Sequence, residues 1–121
     1  MTIKEAIDYA DLMKPNAIPQ AVKIRWLSQV EGRIAEEIML MSPAEGKTYF
    51  YTADDLGKEL LVDHPHDDIY TWWLQAQIDL ANEEYDKAQA TMDMFNATWA
   101  GYLRWFCNLY DPVQGYESEG C

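Results

Sequence analysis

The last third of the chain carries the strongest constraint on the fold, a long stripe of apolar side chains. Its members recur at alternating steps of three and four residues: Tyr85, Ala88, Met92, Phe95, Trp99, Tyr102, Phe106 and Leu109. This spacing places them on one side of an α-helix, as in a heptad repeat. The sequence therefore predicts a helix of about seven turns, and the inner half of its stripe should belong to the core of a helical domain.

Two helices are predicted upstream of residue 43. Thr2 and Glu5 form a capping-box pattern at the start of the first helix, and Pro15 ends it, because proline disfavours helical geometry in the residue before it. The second helix follows Pro19 and is closed at residues 42–43 by a Ser-Pro pair. Its predicted apolar side consists of Val22, Trp26, Val30, Ile34, Ile38 and Met41.

A small β-hairpin is predicted between the second and third helices. Residues 47–52 (KTYFYT) are aromatic and β-branched, which suits a strand. Asp54, Asp55 and Gly57 supply turn chemistry, and residues 60–62 (LLV) can return as the second strand. A lone hairpin is only marginally stable, so it should lean on the helices or on a neighbouring subunit.

The third helix is predicted to begin at Asp68 and to end at a turn around Asn82, before the long apolar stripe. The expected fold class is thus mainly α, with about four helices and a small hairpin between the second and third. Residues 1–110 should form a single helical domain. Residues 111–121 contain proline, two glycines and two glutamates, so we expect a flexible acidic tail there.

The charge of the chain restricts its partners. Of its 121 residues 21 are acidic and 9 basic, giving a net charge of −12. Phosphate backbones and anionic lipids attract basic surfaces, so we expect no specific nucleic-acid binding and no membrane binding. The first residues carry acids where a signal peptide needs an apolar run, and no segment approaches the length of a membrane span. The sequence therefore predicts a protein of the cytoplasm in which it is made.

The stretch DHPHDD at residues 63–68 admits two interpretations. In the first, the chain is a small metal-dependent hydrolase and His64, His66 and Asp67 bind its metal ion. A zinc site would need further ligands, and other residues to hold those ligands in place. The alternative, which we favour, is a helix start in which Asp67 or Asp68 caps the third helix. No known catalytic motif occurs elsewhere. We expect no enzyme activity, no catalytic or metal-binding residues and no cofactor.

Some aromatic residues exceed what one small core can hold. Leu103 and Trp105 lie off the stripe, so the last helix is apolar over more than one face. Apolar surface left over after core packing usually contacts another chain. The alternating aromatics of the predicted hairpin favour the same interpretation. The candidate interface residues are therefore Tyr49, Tyr51, Trp105 and Leu109.

Several stretches, in this order and at these spacings, resemble a known family of small proteins. They are LMKPNAIP and KIRWLSQVEGRI, then ELLVDHPHDDIY, and finally LANEEYDKA and MFNATWAGYLRW. Together they look like the head–tail connector (adaptor) proteins encoded in the structural-gene cluster of tailed bacteriophages and prophages of Gram-positive bacteria. The resemblance spans Thr2 to Tyr110.

The resemblance implies a mostly helical virion protein that works by assembly. Such proteins form a cyclic homo-oligomer, often of about a dozen copies, beneath the portal protein of the capsid. The ring joins the head to the next adaptor or tail ring. The family brings no catalytic residue. The chain is then expected at the head–tail interface of the virion, and in the host cytoplasm before assembly.

A second hypothesis comes from a different functional class. The chain could be an acidic helical interaction module, such as a phage-encoded inhibitor or a tail-assembly chaperone. Its surface would then cover a basic partner, and the two chains would bind one-to-one without forming rings.

Overall fold

One helix near the middle of the sequence lies at the centre of the fold. The computed structural model describes residues 1–110, and the tail predicted for residues 111–121 lies outside the described residues. In chain order the helices are α1 (Ile3–Met13), α2 (Gln20–Arg33), the single turn α3 (Pro43–Gly46), α4 (Asp68–Ala81) and α5 (Tyr85–Tyr110). The helix α4 makes its largest contact with α5 and also packs against α1 and α2. The prediction of a mainly helical fold is confirmed.

The central position of α4 follows from its composition. Its buried residues are Ile69, Tyr70, Thr71, Leu74, Gln75, Ala76, Ile78 and Asp79, which together cover most of the helix circumference. A helix whose buried residues, apolar and polar, cover most of its circumference must be enclosed by its neighbours. The indole N–H of Trp73 also donates to the backbone carbonyl of Trp26, at 2.9 Å, and fastens α4 to α2.

The start of α1 shows the predicted capping box. The Thr2 hydroxyl accepts from the Glu5 backbone N–H, and the Glu5 carboxylate accepts from the Thr2 N–H. The N–H groups of Ile3 and Lys4 donate to backbone carbonyls at residues 58 and 56. Every N–H of the first helical turn is thus satisfied, and the loop before residue 60 is tied to α1.

The second helix differs from its prediction in two ways. It continues into a π-helical segment, Ile34–Ile38, and then reverses at Leu40, whose φ is 55°. The apolar side predicted for its first half is right only in part, because Trp26 packs against the core whereas Val22 is 37% exposed. Val30, Ile34 and Ile38 are buried as predicted, and they are joined by Ile24, Leu27 and Ala35.

The predicted β-hairpin is wrong. Among residues 1–110 the structure shows no strand, only one isolated antiparallel bridge between Thr2 and Glu59. Lys47 and Thr48 instead form a turn that follows α3, and Thr52 is extended. The Tyr51 N–H donates to the Ser28 hydroxyl on α2, at 2.9 Å, instead of to a second strand. A 3₁₀ turn, Ala53–Asp55, follows with its own Thr52 cap. The polar side chains of α2 therefore replaced the missing strand as partners.

The apolar stripe of α5 packs as predicted over its middle. Ala88, Phe95 and Tyr102 are buried, and Met92, Trp99 and Phe106 are partly buried and pack against the core. The two ends are outside the core: Tyr85 is 64% exposed and Leu109 is 51% exposed. Both ends of the helix thus carry an exposed apolar side chain.

The connection between α4 and α5 lies where the sequence placed it. Asn82 caps the end of α4, and Glu83 adopts the left-handed conformation with φ of 59°. The Glu84 N–H then donates to the carbonyl of Asp79, at 2.9 Å. This pattern is the usual way to satisfy the last carbonyls of a helix, although glycine is the residue that favours the left-handed position.

Candidate functional site

A carboxylate without any solvent contact lies in the middle of the bundle. Glu31, on α2, has an exposed fraction of 0%. Its Oε2 accepts from the Tyr51 hydroxyl at 2.8 Å and from the Leu61 N–H at 2.9 Å. Its Oε1 accepts from the Tyr70 hydroxyl at 2.6 Å. One side chain of α2 therefore holds the loop at both Tyr51 and Leu61, and also holds α4.

The tyrosine on α4 extends this network. Its hydroxyl accepts from the Val62 N–H at 2.8 Å while it donates to Glu31. Burial raises the pKa of the Glu31 carboxyl, and the hydrogen bonds from Tyr70, Leu61 and Tyr51 oppose that rise. Burial and the nearby Glu31 charge raise the pKa of both tyrosines well above the usual value, so both hydroxyls keep their protons and remain donors. The buried polar groups of Glu31, Tyr51 and Tyr70 are thus joined in one network in which their hydrogen bonds are satisfied.

The DHPHDD stretch forms the turn that precedes α4. The His66 N–H donates to the carbonyl of Asp63, and Asp68 is the first residue of the helix. The helix start is therefore confirmed. The predicted side-chain cap is wrong, because Asp67 stands at the N-cap position without a capping hydrogen bond from its side chain.

The two histidines of this turn have different surroundings. His64 is exposed, whereas the ring of His66 lies 4.5 Å from the ring of Trp105 and 5.4 Å from that of Tyr102, both on α5. In the part of the chain that the structure describes, no group of three or more His, Cys, Asp and Glu side chains is placed to hold a metal ion. The ring of His66 therefore packs against the aromatic rings of Tyr102 and Trp105.

A small cleft lies beside these rings. Its volume is about 240 Å³, and its lining includes Met39, His64, Trp105, Phe106 and Leu109. Trp105 is 43% exposed and Leu109 is 51% exposed. Two of the candidate interface residues thus lie together in one partly apolar surface at the end of α5.

The other two candidates lie elsewhere. Tyr49 is half-buried and lines a groove beside α2. Tyr51 is only 8% exposed and bonds to Glu31, so the structure places it inside the fold and it is not a surface residue. The exposed aromatic of the segment is Phe50, at 66%. The prediction of Tyr51 as an interface residue is therefore wrong, whereas Tyr49 stays a candidate.

Neither Glu31 nor Phe50 was predicted from the sequence as a functional residue. A signal for Glu31 existed, because it follows Val30 within the buried spacing of α2, where an isolated acid is unusual. The signal for Phe50 was its alternation with Tyr49 and Tyr51, which must point opposite ways in an extended chain.

Comparison with protein-family models, with curated proteins and with solved structures gave no match for this chain. Within residues 1–110, none of the helices combines the length and the apolar character that crossing a bilayer requires.

Proposed function

We propose that this chain is a structural protein of a tailed-phage virion, a head–tail connector that assembles as a ring between the portal and the tail. The sequence stretches between Thr2 and Tyr110 that resemble this family support the choice of family. The single structural observation that supports assembly is the exposed apolar surface at the end of α5. There Trp105 and Leu109 border a cleft and are left uncovered by the fold.

The position of this surface supports contact with a second chain. An exposed tryptophan and leucine on one helix end offer a partner the kind of aromatic and apolar anchor that interfaces favour. The flanking contact of Trp105 with His66 holds its ring in place before a partner arrives. In a ring each copy would present this surface to a different surface of its neighbour.

The experiment is an assembly assay with matched variants. The purified chain is mixed with the portal protein, and complexes are sized by light scattering on a size-exclusion column and imaged by negative-stain electron microscopy. We expect ring-shaped complexes for the wild type. Leu109→Ser should reduce their yield, whereas Leu12→Ser, at a leucine on α1 that is 76% exposed, should not.

The result also separates the two functional classes. An interaction module would form compact one-to-one complexes with its partner and no rings at any concentration. A chain that neither forms rings nor joins the portal would refute the connector proposal. Equal behaviour of the two leucine variants would remove the end of α5 from the interface.

A further inference from the structure

The surface beside α2 contains an unusual concentration of positive charge for this chain. A groove of about 380 Å³ runs between α2 and the segment that follows α3. Its lining includes Arg25, Arg33 and Lys47, one carboxylate, Glu36, and the ring of Phe50. In a protein of net charge −12, three cations here outnumber the one carboxylate of the lining.

Two of these cations have no acidic partner in the monomer. All nine basic residues of the chain lie within residues 1–110, and those in ion pairs there are Lys4, Lys14, Lys23, Arg33, Lys58 and Lys87. Arg25 and Lys47 make no ion pair among the described residues, and both are exposed. A pair of unmatched cations beside an exposed aromatic ring suits an acidic segment that also carries an aromatic side chain.

The same chain presents such a segment. At the turn between α4 and α5, Glu83, Glu84 and Asp86 are exposed, and Tyr85 between them is 64% exposed. The cations near this turn are Lys87, whose ammonium lies 3.4 Å from Glu84 and is itself largely exposed, and Lys14, which pairs with Asp79. We define residues 83–86 as the acidic turn and the surface of Arg25, Lys47 and Phe50 as the basic groove.

These two surfaces belong to different parts of the molecule. The acidic turn lies at the end of the bundle where α4 ends and α5 begins, close to the end of α1, because Lys14 pairs with Asp79 at 2.9 Å. The basic groove is built on α2 and on the segment after α3. A contact between unlike surfaces is heterologous, and such contacts close into rings when the rotation per copy permits it.

We propose that the acidic turn of one copy docks in the basic groove of the next copy. Glu84 and Asp86 then face Arg25 and Lys47, and Tyr85 packs against Phe50. This inference rests on the proposed ring assembly and names one interface within it.

The test uses two charge reversals and their mixture. Lys47→Glu places an acid in the groove opposite the acidic turn, and Glu84→Lys places a cation on the turn opposite the groove. Each variant alone should self-associate at least about tenfold more weakly than the wild type at low salt, because like charges then meet. Both positions are exposed, so thermal unfolding should be almost unchanged.

Mixing the two variants gives the decisive result. In an equimolar mixture every contact between unlike copies pairs opposite charges, so association should recover in complexes where the two variants alternate. Sedimentation velocity over a concentration series measures each association constant. Lys58→Glu and Asp8→Lys change the net charge by the same amounts at exposed sites away from the two surfaces, and should leave association near the wild-type value.

The outcomes separate this inference from the proposed function. If the wild type forms rings and the reversals act no more strongly than their controls, or the mixture fails to recover, this interface is wrong and the connector proposal stands. If the wild type remains monomeric in solution at every concentration, the docking is also refuted, since every copy carries both surfaces. Ring formation on the portal would then still support the connector role.

Discussion

Replacing Tyr70 with phenylalanine tests how much the buried network contributes to stability. The phenylalanine keeps the ring, which is fully buried, and removes only the hydroxyl. That hydroxyl donates to Glu31 at 2.6 Å and accepts from the Val62 N–H at 2.8 Å. Glu31 and Val62 are each 0% exposed, so neither can turn to solvent for a replacement partner.

The expected cost follows from the two groups left without that partner. A buried donor or acceptor that loses its hydrogen bond costs about 1–3 kcal/mol, so Tyr70→Phe should lower the free energy of unfolding by about 2–6 kcal/mol. At about 4 °C per kcal/mol for a domain of this size, the melting temperature should fall by at least about 8 °C. Such a loss would be a large fraction of the stability of an ordinary domain.

Two other tyrosines provide graded controls. Tyr51→Phe removes one donor from Glu31 Oε2, which keeps its bond from the Leu61 N–H, so its cost should be about 1 kcal/mol. Tyr9 is 45% exposed, and its hydroxyl makes no hydrogen bond within residues 1–110. Tyr9→Phe should therefore change the free energy of unfolding by less than about 0.5 kcal/mol.

The assay is urea unfolding followed by tryptophan fluorescence and circular dichroism, with the free energy of each variant taken from the midpoint and slope. The reasoning requires the order Tyr70→Phe, then Tyr51→Phe, then Tyr9→Phe, from the largest loss to the smallest. A Tyr70→Phe variant as stable as Tyr9→Phe would refute it. So would a loss at position 51 that exceeds the loss at position 70.

Three further predictions concern other positions. Glu83→Gly should raise the free energy of unfolding by about 1 kcal/mol, because a side chain at φ of 59° is strained and glycine is not; thermal unfolding measures this. Lys14→Met should lower it by about 3 kcal/mol in urea unfolding, since it leaves Asp79, 1% exposed, with Thr91 as its remaining partner. The pKa of the Glu31 carboxyl is raised in the folded state. The contribution of this group to the free energy of unfolding is therefore fully present below its pKa in the unfolded state, and it is lost as pH rises through its pKa in the folded state. Wild type should therefore exceed Glu31→Gln in stability by more at about pH 5 than at about pH 7.5.

Helices with strong local signals could be predicted from the sequence, and the pairing of loops could not. The capping box at Thr2 and the stripe of α5 depend on residues that are close in the chain, so their patterns are visible there. The conformation of residues 47–52 depends on hydrogen bonds to Ser28 and Glu31, which lie about 20 residues away on α2. No local pattern shows that a side chain will replace the second strand.

The same reason explains the errors at the candidate interface. Alternation in an extended segment shows that neighbouring side chains point opposite ways, but it does not show which set faces the core. Tyr51 faces the core because the buried carboxylate of Glu31 needs hydrogen-bond donors and the Tyr51 hydroxyl supplies one. For α2, the apolar series that start at Val22 and at Ile24 share Val30, Ile34 and Ile38, and packing against α1 and α4 buries Ile24 and leaves Val22 exposed.

The buried network and the proposed docking surface are linked through one residue. Tyr51 is fixed at both ends, since its N–H donates to Ser28 and its hydroxyl donates to Glu31. Phe50 is its neighbour and has no comparable anchor, yet its ring forms a wall of the basic groove. Because the backbone at residue 51 is held to α2, Phe50 must project away from the core. A docking surface made from an extended segment needs such an anchor, as a loop free to move would lose entropy on binding. Tyr51, which the sequence suggested as an interface residue, is therefore buried, and it contributes to the proposed docking surface by orienting Phe50 toward it.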